Sequence, residues 1–301
     1  MRQINIQAGS APEHIRALVC GLPSAGKTHF AATAERPLFI SDASEGGYKT
    51  IQAMDPALWW DPAMVPEVRA IESIVDMPTE ISRLEALAQQ KKFPYRTVII
   101  DPLSIYVDRY LAESMANSPG RDGRQVYGDL ATHLRSLVLR VHALPAHVIW
   151  LCHLKNDAAE ATGPAIGGQM GGKFPAYCDF KWLCNVAPGA TPTSAPVFEL
   201  RTKPYRIWTF LGGRWDLPEV IPPSMKVISQ ILGMAGTPMS PAVPGFPTGV
   251  VFQRPAPAPT PAPAAAPPAA PSKLAPPPQH AHPLVIAPVV GSFPPPTAAR
   301  R

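Results

Sequence analysis

Three things are scarce in this 301-residue chain: acidic residues near its end, cysteine, and long apolar runs. From Met234 to Arg301 there is no Asp or Glu, and half of the 40 prolines fall there, interleaved with alanine in stretches such as 255–270. Such a segment has few backbone donors and little apolar surface to bury, so it is expected to stay extended and disordered. The folding unit is then 1–233, long enough for one sizeable core, with a tail over 234–301. The four cysteines form no CxxC pair and stand at no zinc-finger spacing from a histidine. Cys20 and Cys152 sit inside apolar runs and read as small buried hydrophobes. No apolar run approaches bilayer-spanning length and no signal-peptide pattern is present, so no membrane partner and a cytoplasmic, reducing setting are expected.

Charge excludes less than it first suggests. The formal net charge is +5, but Arg254, Lys273, Arg300 and Arg301 of the tail supply most of it. Without those four, the 27 basic residues fall to 23 against 22 acidic ones, so the folding unit is near neutral. Any nucleic-acid binding must then come from a local patch.

Strand-like and helix-like segments alternate along 16–152. Short apolar runs at 16–20, 37–41, 97–100 and 147–152 read as buried strands. Segments 27–35, 78–92, 104–117 and 125–144 read as helices, the last with Leu130, Leu134, Leu137, Val138 and Val141 on one face. Residues 55–66, with Trp59, Trp60 and several prolines, read as an irregular insertion. Further β segments are expected at 180–186, 197–202 and 206–210, and a short helix near 224–232. This order predicts an α/β fold: a mostly parallel sheet flanked by helices, with antiparallel strands added at one edge.

The segment Gly21-Leu-Pro-Ser-Ala-Gly26-Lys27-Thr28 satisfies G-x-x-x-x-G-K-[ST] at every fixed position. Between a strand and a helix, this pattern makes a cradle for nucleotide phosphates. Glycine permits backbone angles and close approaches that a side chain would block. The loop N–H groups converge on phosphate oxygens, Lys27 adds a positive charge at the β- and γ-phosphates, and the Thr28 hydroxyl suits Mg²⁺. A chance match in a chain this long is about 1%, so ATP and Mg²⁺ are the expected ligands. Gly21, Leu22, Pro23, Ser24, Ala25, Gly26, Lys27, Thr28 and His29 are the nucleotide-contacting candidates. Asp101 ends an apolar strand, which makes it the second candidate for the metal; the competing reading is a turn opener before Pro102.

With these motifs in this order, the chain resembles the RecA-like ATPases, most closely the phage-encoded ATP-binding proteins of the single-strand annealing and recombination type. The resemblance spans roughly 15–233 and excludes the tail. It implies a RecA-like P-loop NTPase core and a general base after the strand at 37–41, where PLFISDASEGG places Glu45, with Asp42 as its local competitor. It implies a phosphate sensor at His153, the polar end of HVIWLCHLK. The glycine-rich loop 156–173 corresponds to the family's single-stranded DNA loop, although only Lys155 and Lys173 flank it. Arg201 and Lys203, in ELRTKP, match the basic residues that reach a neighbour's ATP, with Arg214 as a rival, and imply a homo-oligomer. Only about fifteen residues precede the first strand, where the family carries a separate oligomerisation domain. No Glu follows Asp101, which points away from an AAA-type core. The function so implied is a Mg-dependent, DNA-stimulated ATPase of recombination, annealing or repair, in the host cytoplasm if phage-encoded. A motor or loader ATPase of a phage replication or packaging machine is the first alternative, and an assembly switch with little turnover is the second. The Pro-rich tail reads as a spacer, or as a docking segment for a protein partner.

Overall fold

A computed structural model describes residues 12–118, 120, 122–155, 163–189, 195–205 and 210–234. The expected disordered tail, from 235 onward, lies outside the described residues, as do 156–162 of the glycine-rich loop and 206–209 of an expected strand.

In chain order the elements are β1 Arg16–Gly21, α1 Lys27–Ala32, β2 Pro37–Asp42, α2 Gly47–Ala53, a 3-10 turn Pro56–Leu58, β3 Glu67–Ile71, α3 Asp76–Gln89, β4 Thr97–Asp101, α4 Leu103–Ala116, α5 Gly123–His142 and β5 His147–His153. Next come α6 Met170–Lys173, a second 3-10 turn Phe174–Tyr177, β6 Phe180–Ala187, β7 Val197–Arg201, β8 Gly212–Gly213, β9 Val220–Ile221 and α7 Met225–Ile231. The strands form one sheet in the order β3-β2-β4-β5-β1-β6-β7-β9, with β8 paired to β6. Every pairing from β3 through β6 is parallel, and β7, β8 and β9 pair antiparallel at one side, as the sequence predicts.

The apolar runs are buried on both faces because helices cover both sides of the parallel strands. Along β1, Leu18 and Cys20 join one core while Ala17 and Val19 join the other, the alternation a pleated strand imposes. The first core receives the inner faces of α3, α4 and α5, including Leu130, Leu134, Leu137, Val138 and Val141. The second is built with Phe30 of α1, Ile51 of α2 and Met225 and Ile228 of α7.

Several short elements had no signal in the amino-acid pattern, β3 and α2 among them. Strand β3 carries half-exposed Glu67 and Val68 and exposed Arg69 and Ala70, so it lacks the continuous apolar run of an inner strand. It is the outermost strand and, among the described residues, pairs only with β2. Helix α2 is seven residues long and buries Ile51 alone, too little to show a helical period. Helix α1 is shorter than expected: it stops at Ala32, and Arg36 adopts φ 40° before β2 begins. Among the described residues, no helix is long and apolar enough to cross a membrane.

Register does the positioning. Gly21 aligns with His153 across β1 and β5, and Ser41 aligns with Asp101 across β2 and β4. The carboxyl ends of four parallel strands therefore open on one edge of the sheet, where ligands of open α/β sheets bind.

Candidate functional site

A cavity of about 990 Å³ opens at that edge. Among the residues lining it are Pro23–His29 of the loop after β1, Glu45 after β2, Asp101 at the end of β4 and His153 at the end of β5. The loop's shape depends on its small residues. A Cβ on Gly21 would fall 2.8 Å from the Cys184 carbonyl oxygen of β6, so the neighbouring strand forbids a side chain there. Ser24 (φ 62°) and Gly26 (φ 84°) take the left-handed conformation that turns the loop into α1.

Lys27 is buried, and its Nζ donates to the carbonyls of Gly21 (3.0 Å) and Leu22 (2.9 Å) of its own loop. Burial pulls its pKa down, opposed by the Cys184 thiol and the Asp101 carboxylate. A phosphate chain in the loop would offer oxygens in place of those carbonyls.

The Thr28 hydroxyl donates to Asp101 Oδ2 at 2.8 Å, which brings the two metal candidates into direct contact. A Cβ on Gly47 would come within 3.0 Å of the same Oδ2, so glycine keeps that face of the carboxylate open. Two hard oxygen donors side by side, beside a clear space, fit Mg²⁺, which takes one or two protein oxygens and completes its shell with phosphate and water. Burial raises the Asp101 pKa to about 6, opposed by the Thr28 hydrogen bond and the Lys27 charge.

The two acids after β2 have different surroundings. Asp42 receives Arg109 Nε at 2.6 Å and Arg109 Nη2 at 2.8 Å, and also the backbone N–H and hydroxyl of Ser44. Arg109 holds the Asp42 pKa down at about 2. Its oxygens are thus engaged away from the cavity, whereas Glu45 lines the cavity near Asp101.

His153 carries a contact that the sequence did not reveal. Ser104 Oγ, buried on α4, lies 3.1 Å from His153 Nδ1 and accepts the His153 backbone N–H at 3.3 Å. The pattern is satisfied when the hydroxyl donates to Nδ1 and the ring carries its proton on Nε2. Burial and the Lys27 charge lower the His153 pKa, so the ring is neutral near pH 7. Ser104 could have been suspected only from its place three residues beyond Asp101 at the start of α4.

Arg201 and Lys203 are not at this cavity. Arg201 Nε pairs with Glu199 at 2.7 Å, and its guanidinium lies 3.7 Å from the Tyr205 ring centre. Lys203 pairs with Asp216, and Arg214 with Asp179 at 3.2 Å. Phe198, which no sequence motif singled out, lines the cavity at the start of β7.

Against known proteins, the family model AAA_24, described as an AAA domain, matches residues 13–180, more than half of the chain. The missing Glu after Asp101 therefore did not set the chain apart from AAA-type domains as expected. No curated protein matches the chain. Among solved structures, the chain is similar to a prototypical ATPase from the type III secretion system of pathogenic bacteria, at 15% identity and a TM-score of 0.41. That match covers 57% of this chain and 52% of the other, so it spans about half of that protein's length.

Proposed function

The chain belongs to the AAA domain family, and on that premise we propose that it is a Mg-dependent ATPase acting on single-stranded DNA in phage-type recombination, annealing or repair. The observation that carries the ATPase reading is the single cavity that gathers the phosphate loop, the Thr28–Asp101 pair, Glu45 and His153.

The residues divide the work. The loop N–H groups and Lys27 bind and orient the phosphates, and Lys27 exchanges its loop carbonyls for phosphate oxygens. Thr28 and Asp101 are the residues that would hold Mg²⁺. When bound, the ion neutralises charge on the β- and γ-oxygens. Glu45 accepts the proton of the attacking water and orients it toward the γ-phosphorus. His153, neutral and protonated on Nε2, donates a hydrogen bond to the phosphate.

The DNA reading draws support from the segment after β5. Ala165 N–H donates to the His153 carbonyl at 2.8 Å, and Leu154 bridges Pro164, so the glycine-rich loop is tied through its backbone to the sensor. A change at His153 on hydrolysis is thereby passed to the loop. The same reading includes a homo-oligomer. Arg201 and Lys203 lie outside their own chain's cavity, so any contact they make with phosphate is with a neighbour's.

The test is the ATPase rate with and without single-stranded DNA, duplex DNA as control. Stimulation by single strands alone supports the full reading. Turnover insensitive to both points to a motor or loader working on protein, and no turnover with tight binding to an assembly switch.

A further inference from the structure

We propose that Phe198 and the apolar wall around it form the nucleobase site, holding the base by stacking; this rests on the phosphate-loop reading above. The cavity lining is of two chemical kinds. Its charged groups gather at Asp101, whose carboxylate feels both Lys27 and Glu45. Pro196, Val197, Phe198 and Pro223 supply apolar lining, and Leu58 adds to it from the 3-10 turn after α2. A nucleotide needs both kinds, since it carries a polyanion and a flat, weakly polar ring.

Phe198 is placed to serve that ring. A Cβ on Gly26 would meet Phe198 Cδ1 at 3.0 Å and Cε1 at 3.4 Å, so the aromatic ring rests on the phosphate loop itself. Gly26 is thus needed twice, for its φ of 84° and for the space the ring occupies. Yet Phe198 remains 44% exposed, beside Val197 at 39% and with Leu58 at 39%, an unusual amount of large apolar surface in one cavity. At about 990 Å³ the cavity lies at the upper end for small-molecule sites and has room for more than phosphates. Stacking on an aromatic face tolerates any base, because every base presents a π-face. Phe198 therefore contributes to ATP and GTP affinity alike.

The experiment is calorimetric titration of wild type and Phe198→Ala with Mg-ATP, Mg-GTP and Mg-tripolyphosphate, which lacks base and ribose. Phe198→Ala is expected to weaken both nucleotides by about fivefold or more, on the scale of base–aromatic stacking, with tripolyphosphate changed by less than about twofold. Phe198→Trp should bind both nucleotides at least as well as wild type. Nucleotide affinities unchanged in Phe198→Ala, or an equal loss for all three ligands, would overturn the assignment, the second by showing that the ring only shapes the loop. If wild type binds none of the three, the phosphate-loop reading fails and this inference with it. Because Phe198 is nearly half exposed, melting of the nucleotide-free variant should match wild type.

Discussion

The parallel and antiparallel parts of the sheet use their polar residues in opposite ways. Strands β4 and β5 are buried along almost their whole length, and Asp101 and His153 stand at their carboxyl ends, lining the cavity. Strand β7 begins exposed, and its basic residue Arg201 is engaged with Glu199 and Glu219 of its own chain. A buried parallel strand cannot accommodate a free charge along its length, so charge at its carboxyl end is either paired, as Asp42 is with Arg109, or turned to the cavity, as Asp101 is. On β7 the Arg201–Glu199 pair is itself mostly buried, so each charge offsets the other within the chain, and such structural pairs are weak signs of chemistry.

The sharpest way to break that contrast is Lys27→Ala. Nucleotide binding and turnover should be lost, while the nucleotide-free protein loses only about 1 kcal/mol, the worth of hydrogen bonds to two loop carbonyls. Turnover assays beside thermal melting measure both; full activity in a folded variant would remove the phosphate-loop assignment.

Glu45→Gln should slow hydrolysis by about 10²–10⁴ and keep ATP binding, since it removes a general base and preserves shape. Asp42→Asn should instead lower stability, because it leaves Arg109 without its carboxylate. If the kinetic defect follows Asp42 and not Glu45, the division between ligand-facing and structural acids is wrong.

The Asp42–Arg109 pair also sets a pH dependence. Asp42 is held at about 2 in the folded chain, below its unfolded value near 4, so its contribution is complete above that unfolded value. It is lost as pH falls from about 4 through about 2, and amounts to about 2 kcal/mol. Acid unfolding of Asp42→Asn should lack this component; identical acid profiles would show that the pair does not stabilise the fold.

Arg201→Ala should have the smallest effect on activity, leaving single-chain turnover in dilute protein unchanged, although it should cost about 3 kcal/mol of stability by leaving the buried Glu199 without its cation. If Arg201 serves a neighbour, specific activity of wild type should rise with concentration, and the variant should lose that rise. Mixing it with Lys27→Ala chains should restore some activity. A specific rate independent of concentration, with no rescue, would assign Arg201 to its in-chain ion pairs alone.

The sequence by itself determined the sheet's parallel core, the phosphate loop and the metal-candidate acid. Each depends on local patterns: apolar runs about five residues long for β1 and β4, the fixed spacing of Gly21, Gly26, Lys27 and Thr28, and an acid directly after an apolar run. Strand β3 stayed hidden because an edge strand alternates with solvent and needs no apolar run. Only the tertiary structure decided among residues whose roles depend on distant partners. Asp42 and Glu45 look alike in sequence, but Arg109, far along the chain on α4, engages the first in an ion pair while the second lines the cavity. Ser104 matters because α4 brings it to the end of β5, and Phe198 because β7 returns it to the loop after β1. Local periodicity fixes which segments form strands and helices, but contacts between residues distant along the chain exist only once the sheet has aligned their ends.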